Sequence, residues 1–319
     1  MTSAPAPVLA EVVRSGFAES YHAGAVAGLD ADGALAVAAG DPDSAIFPRS
    51  SNKPLQTVGM LRCGLGCLGL PDELIALVTA SHSGEPVHLE GVRRILAAAG
   101  LDEGALRTPP DLPIGEQAQA DWLGAGHGRA PVAMNCSGKH AGMLATCTVN
   151  DWPLETYRDL DHPLQVRLRE VAEELAGEPV AAVGVDGCGA PVFALRLRGL
   201  ARAFAAIATA PAGTDEHQVA EAMRRHPLHL GGSGRDVTAL IRAVPGLIAK
   251  DGADGVYAAA TADGRAVALK ILDGSARARM PVLVAALRRL GVDAPGLDEL
   301  AVLPVLGGGR RVGEVRALL

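Results

Sequence analysis

A serine three residues before a lysine is the first arrangement in this sequence that could do chemistry. Ser50 and Lys53 stand in the segment PRSSNKPLQ. On a helix, positions i and i+3 share a face, so the hydroxyl and the amine would be neighbours. A serine hydroxyl becomes a nucleophile when a base takes its proton, and lysine can be that base where burial or a nearby cation lowers its pKa. The spacing indicates serine-dependent acyl transfer, but a helix N-cap serine with a solvated lysine has the same spacing.

A second serine and a second lysine also occur in contexts that suit a site. Ser81 lies in the segment ASHSGEP, directly after an apolar run. Polar residues at such a boundary are either functional or cap the following helix, in which case Ser81 or Ser83 would cap a helix that begins near Pro86. Lys270 lies inside the apolar run AVALKIL, where a lysine either faces solvent or is held in a site.

Two cysteines lie in segments that are rich in polar residues. Cys136 stands in NCSGKHAG and Cys188 in VDGCGAP, so only the fold can bring them together. Zinc prefers about four thiolate, imidazole or carboxylate ligands, which Cys136, Cys188, His140 and Asp186 offer. Two buried thiols without a metal are the alternative. A nucleotide-binding loop is excluded at Gly138 because His140, rather than Ser or Thr, follows the lysine.

The elements that must position these residues follow from hydrophobic periodicity. Alternating segments predict a β-hairpin over 24–40 and another that joins 255–260 to 266–272. A late strand is predicted over 300–306. Helical spacing is found over 55–67, 86–99, 137–148, 163–174, 192–207, 218–225, 235–243 and 277–290. The sequence therefore predicts an α/β fold with an antiparallel sheet built from both chain ends and a helical lobe inserted between them.

Composition narrows the class of protein. A chain of 319 residues with 49 % hydrophobic and 20 % charged residues is typical of a globular protein, and we expect one domain over 1–319 with two intimate lobes. The formal net charge of -7 argues against nucleic acid or a membrane surface as partner. No segment is apolar enough for a membrane helix, and the N-terminal segment does not fit a secretion signal, so we expect a cytoplasmic location. The five cysteines are then thiols or ligands.

Taken together, the segments resemble the Rhizobium-type L-asparaginases, the class 3 or asparaginase II family. The resemblance covers roughly residues 12–279. It depends on PRSxxK, SHxGE, NCSGKHAG and VDGC, with DHP, KDGADGVY and LK followed by DGS in the same order. Several motifs in matching order are far more specific than any one of them alone.

The resemblance implies a fold similar to serine β-lactamases and glutaminases, and the hydrolysis of L-asparagine to aspartate and ammonia. It implies two Ser–Lys tandems, which fall here on Ser50 with Lys53 and on Ser81 with Lys270. Ser50 is expected to be the nucleophile and Lys53 its base, while Ser81 and Lys270 relay protons or stabilise the oxyanion. The opposite assignment, with Ser81 as nucleophile, stays open.

The resemblance also implies a zinc ion, Zn2+, held by two cysteines and a lysine, and a homodimer. The ligands fall on Cys136, Lys139 and Cys188, with Asp186 as a further ligand or close by. A lysine that binds a metal must be neutral, so the metal's charge has to lower the pKa of its amine. Whether the metal orients the substrate or activates water stays open.

Five polar residues next to these motifs are predicted to contact the substrate. Arg49 could hold the α-carboxylate of asparagine through two hydrogen bonds, or be structural. His82, Glu85, Asn135 and His140 are predicted contacts to the ammonium and amide groups.

Other functions compete with this prediction. A glutaminase or a related serine amidase is the first, because one methylene changes affinity only about 10–200-fold. A β-lactam hydrolase should carry Lys-Thr-Gly and Ser-Asp-Asn tripeptides, which this sequence lacks. A non-catalytic zinc-binding scaffold would release no ammonia. A zinc-hydroxide amidohydrolase would survive loss of Ser50 but not of Cys136.

Overall fold

Strands from both ends of the chain form one antiparallel sheet. In this computed structural model, which describes residues 6–319, eight strands pair in the order β10-β11-β1-β2-β9-β8-β7, with β3 on β2. A small second sheet has the order β4-β6-β5. The strands are β1 Val8–Arg14, β2 Phe17–Leu29, β3 Leu35–Ala39, β4 Ala45–Ile46, β5 Ala182–Val185, β6 Pro191–Arg196, β7 Ile248–Asp251, β8 Val256–Ala260, β9 Ala266–Ile271, β10 Val302–Gly307 and β11 Arg310–Ala317.

Helices occupy the chain between β3 and β7 and return after β9. They are α1 Lys53–Arg62, α2 Asp72–Val78, α3 Pro86–Ala98, α4 Glu116–Gly124, α5 Ser137–Val149, α6 Pro163–Ala176, α7 Leu197–Thr209, α8 Asp215–Arg225, α9 Pro227–Leu230, α10 Asp236–Ala243, α11 Arg279–Arg289 and α12 Leu297–Leu300. The predicted α/β class, with a sheet from both chain ends and a helical lobe between them, is confirmed.

Burial along the strands shows how the sheet is covered. The second half of β2 and almost all of β9 are buried at consecutive positions, so side chains on both faces of the sheet are covered. Helices α7 and α11 both pack against β9. Both predicted hairpins are present, as β2–β3 and as β8–β9.

The helix predicted over 192–207 is partly wrong. Its first residues form strand β6, which pairs with β4 and β5, and the helix begins only at Leu197. A short apolar run fits a buried strand as well as a helix, and here sheet pairing decides.

Helix α3 begins at Pro86, as predicted, but its N-cap residue is Glu85 rather than Ser81 or Ser83. Its carboxylate accepts from the backbone of His88, and the His88 ring accepts the Glu85 N–H at 3.0 Å, which forms a capping box. The Ser83 hydroxyl instead donates to the carbonyl of Gly231 at 2.8 Å.

Close packing brings the elements of the site together. The first turn of α5 lies against α2, where a Cβ on Gly138 would stand 2.3 Å from the carbonyl oxygen of Leu77. Only glycine allows this approach, which sets the first turn of α5 beside the segment that follows α2, where His82 lies within hydrogen-bond distance of Ser137. No helix within residues 6–319 is long and apolar enough to cross a bilayer.

Candidate active site

The turn before α1 carries the predicted nucleophile. Ser50 lies in a 3₁₀ turn, Arg49–Asn52, and its carbonyl accepts the backbone N–H of Lys53. Ser50 is partly accessible, whereas the Lys53 side chain is only 1 % exposed. Arg49 has φ +51°, a left-handed conformation that non-glycine residues rarely adopt and that is common at functional sites.

The Lys53 amine lies at the centre of a buried polar cluster. It donates to the carbonyl of Ala80 at 2.5 Å, to the hydroxyl of Ser81 at 2.9 Å and to the sulfur of Cys136 at 3.1 Å. Three separate polar segments of the sequence, those of Lys53, Ser81 and Cys136, therefore meet at this one amine. A serine hydrogen-bonded to an amine is the arrangement expected of an activated or proton-relaying hydroxyl.

Lys270 does not contact Ser81, so the second predicted tandem is not formed as a direct hydrogen bond. The Lys270 amine instead donates to the carbonyl of Asp254, at a partly exposed end of β9. Burial and the nearby Arg49 lower its pKa. The Ser81 hydroxyl receives its hydrogen bond from Lys53 instead, because the segment after α2 passes next to the start of α1. A catalytic role for Lys270 stays a prediction.

Lys250 is a buried lysine that the sequence analysis missed as a site residue. It is 0 % exposed, and its amine donates to the carbonyl of Asp251 at 2.9 Å and pairs with the Asp251 carboxylate. Burial lowers the pKa of Lys250 to about 8, and the charge of Lys53 acts in the same direction. The sequence signal that could have identified Lys250 is the KDG at 250–252, a lysine-x-glycine at the end of an apolar strand. Serine β-lactamases carry a similar tripeptide, Lys-Thr-Gly.

Two contacts join β7 to the turn that carries Ser50. The hydroxyl of Ser51 donates to the carbonyl of Lys250 at 2.9 Å. A Cβ on Gly252 would stand 2.6 Å from the carbonyl oxygen of Pro48, so the backbones approach more closely than a larger residue allows. The fold thus holds Lys250 near the start of α1.

The predicted metal ligands Cys136, Lys139 and Cys188 are all buried and lie together. The Lys139 amine donates to Cys188 at 3.2 Å, and Cys136 and Cys188 pack in one small buried cluster. The neighbouring Cys136 and Lys139 lower the pKa of Cys188, whereas Cys188 and burial raise the pKa of Cys136. Burial alone would lower the pKa of Lys139, but both cysteines and Asp186 raise it.

This donor set fits zinc through two thiolates and an amine. No three His, Cys, Asp or Glu side chains converge on one point anywhere in residues 6–319, so a metal here depends on Lys139 as third ligand. The Nε2 atom of the buried His140 makes no hydrogen bond within the described part of the chain, and His140 lies near Cys188. An unpaired buried nitrogen near a thiol is a further feature that suits a metal site.

Asp186 and Arg49 form an ion pair at the edge of this cluster. The Arg49 Nε atom donates to Asp186 at 2.7 Å, and its guanidinium also pairs with Asp254. Asp186 contacts Arg49 and lies near Lys139. Two carboxylates thus neutralise Arg49, so a substrate carboxylate would have to compete with them.

The remaining predicted substrate contacts lie around the cluster. His82 is buried, with Nε2 2.9 Å from the Ser137 hydroxyl, and burial holds its pKa well below the usual value. The Asn135 side chain accepts from the Cys136 thiol at 3.2 Å. Glu85 is occupied by the α3 cap and by Ser233, whose N–H it accepts at 2.6 Å.

His140 is held by Tyr157, whose hydroxyl lies 2.6 Å from its Nδ1 atom. Burial lowers the pKa of His140 to about 4, so the imidazole is neutral near pH 7. A neutral ring can bind a metal or accept a hydrogen bond, but it does not supply positive charge.

Residues 10–317 match the family model described as L-asparaginase II. The chain belongs to the L-asparaginase II family. Membership supports an asparaginase-type amidohydrolase with a small-molecule substrate, and it agrees with the intact motifs. A search of curated proteins found no match. Among solved structures, EstCE1, a hydrolase with promiscuous acyltransferase activity, is similar over 92 % of both chains, with 12 % identity and a TM-score of 0.39.

Proposed function

We propose that this protein hydrolyses the side-chain amide of L-asparagine, releasing aspartate and ammonia through a serine ester. The observation that carries the proposal is the Lys53 amine, buried within hydrogen-bond distance of Ser81 and one helical turn from the accessible Ser50. Ser50 is the better nucleophile because a substrate can reach it, whereas Ser81 is buried.

The reaction runs in two halves. The Ser50 oxygen forms a bond to the amide carbon as its proton passes to Lys53, and the carbon–nitrogen bond breaks after a proton reaches the leaving nitrogen. Ammonia leaves, and a β-aspartyl ester remains on Ser50. Water then attacks the ester and releases aspartate, with the same amine accepting and returning the proton. Ser81, hydrogen-bonded to Lys53, relays protons in both halves.

Lys250 completes the pair of amines in this proposal. Two ammonium groups in one pocket repel each other, so Lys53 can take the Ser50 proton only if it gives one of its own protons to a neutral Lys250. Because burial lowers the pKa of Lys250 to about 8, we expect activity to rise with pH as Lys250 loses its proton.

Cys136, Lys139 and Cys188 would hold a zinc ion. Bound there, the metal would supply a positive charge that orients the substrate. Chelation that raises KM and leaves kcat intact would support this role, whereas a kcat lost on chelation and on Cys136→Ala but kept in Ser50→Ala would favour a zinc-hydroxide mechanism. We also propose a homodimer, which light scattering of the purified protein would test.

The central experiment measures ammonia release from asparagine by wild type, Ser50→Ala and Ser81→Ala. We expect Ser50→Ala to lower kcat by at least about 10³-fold and Ser81→Ala by roughly 10²–10⁴-fold. Mass spectrometry of acid-quenched samples should find an aspartyl adduct on wild type and none on Ser50→Ala. An adduct that persists in Ser50→Ala and disappears in Ser81→Ala would move the nucleophile to Ser81.

Glutamine is the alternative substrate, because one methylene discriminates by only about 10–200-fold. Comparing kcat/KM for the two amides decides between them. A larger value for glutamine would make the protein a glutaminase that uses the same residues.

A further inference from the structure

A buried ion pair lies directly behind the Lys250 amine. One oxygen of the Asp251 carboxylate pairs with that amine, and the other accepts from the Arg235 guanidinium at 2.8 Å. Asp251 is 6 % exposed and Lys250 is fully buried. Arg235 directly precedes α10, so its position is set by a different element from the strand that carries the other two residues.

Charged side chains on the neighbouring helices also act on Lys250 and Asp251. Lys53 of α1 acts directly on Lys250. Asp236 of α10 and Arg279 of α11 act on Asp251, and the guanidinium of Arg279 lies 5.6 Å from the ring centre of Tyr257 on β8.

The groups around Lys250 act on its protonation in opposite directions. The Asp251 carboxylate favours the charged form of Lys250, whereas Arg235 and Lys53 disfavour it. Arg235 also holds one carboxylate oxygen, which leaves the other to fix where the Lys250 amine points. A carboxylate shared between an amine and an arginine stabilises the ammonium less than one held by the amine alone.

We propose that Arg235 and Asp251 are positioning residues for Lys250: together they fix the direction of its amine and set the pH at which it gives up its proton. This inference depends on the proposed function, in which Lys250 must be neutral for the amine pair to accept a proton. It assigns roles to two residues whose side chains, within the described part of the chain, hydrogen-bond to neither serine of the site and to none of the predicted metal ligands.

The two residues have opposite effects, which makes the inference testable by sign. Asp251→Asn keeps an oxygen that accepts from the amine but removes the negative charge, so Lys250 deprotonates more easily. The acid limb of the kcat profile should move to lower pH, by about 1–3 units. Arg235→Gln removes a positive charge, so the same limb should move to higher pH, by up to about one unit. Arg235→Lys keeps the charge and should restore the wild-type limb.

The experiment records kcat for asparagine between pH 5 and pH 10 for wild type and the three variants. Arg62→Gln is the matched control, because it removes an arginine shared between two carboxylates, Glu174 and Glu216, at the other end of α1. We expect its acid limb to coincide with that of wild type. A purely structural role for Arg235 and Asp251 would lower stability or kcat at every pH without opposite displacements.

The outcomes separate the inference from the proposed function. The inference is overturned if the acid limb of the kcat profile does not move in Asp251→Asn and Arg235→Gln, or moves in the same direction in both. Ammonia release by the wild type would still support the proposed function in that case. A wild type that releases no ammonia from asparagine or glutamine overturns both. If Asp251→Asn does not fold, the upward displacement in Arg235→Gln and its reversal in Arg235→Lys decide the matter.

Discussion

Replacing Lys53 with methionine removes the amine at the centre of the site and keeps an unbranched side chain of similar volume. The amine supplies hydrogen bonds to the carbonyl of Ala80, the hydroxyl of Ser81 and the sulfur of Cys136, at 2.5, 2.9 and 3.1 Å. A methylene-and-sulfur chain fills the same space but can neither donate to these atoms nor accept the proton of Ser50.

The expected effect on activity is far larger than the effect on stability. A positioned acid or base contributes roughly 10²–10⁴-fold, and the ordered Ser81 adds to this, so kcat should fall by at least about 10³-fold. That corresponds to about 4 kcal/mol of lost transition-state stabilisation. The unpaired Ala80 carbonyl costs about 1–3 kcal/mol of the free energy of unfolding.

The assay is ammonia release at saturating asparagine, with thermal unfolding measured on the same samples. We expect a Tm within roughly 2–6 °C of wild type, so that loss of activity cannot be ascribed to unfolding. Arg62→Met on the same helix is the control and should keep full activity. A folded Lys53→Met protein with kcat within tenfold of wild type would refute the role given to this amine.

Three further predictions follow from other contacts. Lys250→Met should lower kcat by at least about 10²-fold and Lys270→Met by less than about tenfold, because of the two only Lys250 is fully buried beside the start of α1. Steady-state kinetics of the two variants tests this difference. Gly138→Ala should destabilise the protein by about 2 kcal/mol or more, because its Cβ would lie 2.3 Å from a backbone carbonyl oxygen of α2, and urea unfolding should show an unchanged m-value with a lower midpoint. Tyr157→Phe should cost about 1–3 kcal/mol in the same assay, because the Nδ1 atom of buried His140 loses its hydroxyl partner.

Local pattern was sufficient to predict most of the helices and both hairpins. The helix predicted over 163–174 is present as α6, and the one over 137–148 as α5, because each combines helical apolar spacing with enough length to exclude a strand. The apolar run at 192–196 was too short for periodicity to decide, and it became a strand. The terminal strands β1 and β11 were not predicted, since their pairing joins residues from opposite ends of the chain.

Local sequence pattern could not predict which lysines lie in the candidate site. The sequence contains only four, Lys53, Lys139, Lys250 and Lys270, and three of them are buried. Lys250 and Lys270 both follow apolar residues in predicted or actual strands. The KDG at 250–252 is a local signal for Lys250, but which lysine faces the start of α1 depends on how β7 and β9 lie against the helical lobe.

The sequence by itself determined which chemical groups are present, their order along the chain and the family to which the chain belongs. Tertiary structure decided which groups meet: Lys53 with Ser81, Cys136 with Cys188, and Asp251 with Arg235. The physical reason is that motif spacing constrains only neighbours within a helical turn or strand. Burial and charge, which set the pKa of an amine, arise from segments that are distant along the chain and adjacent only after folding.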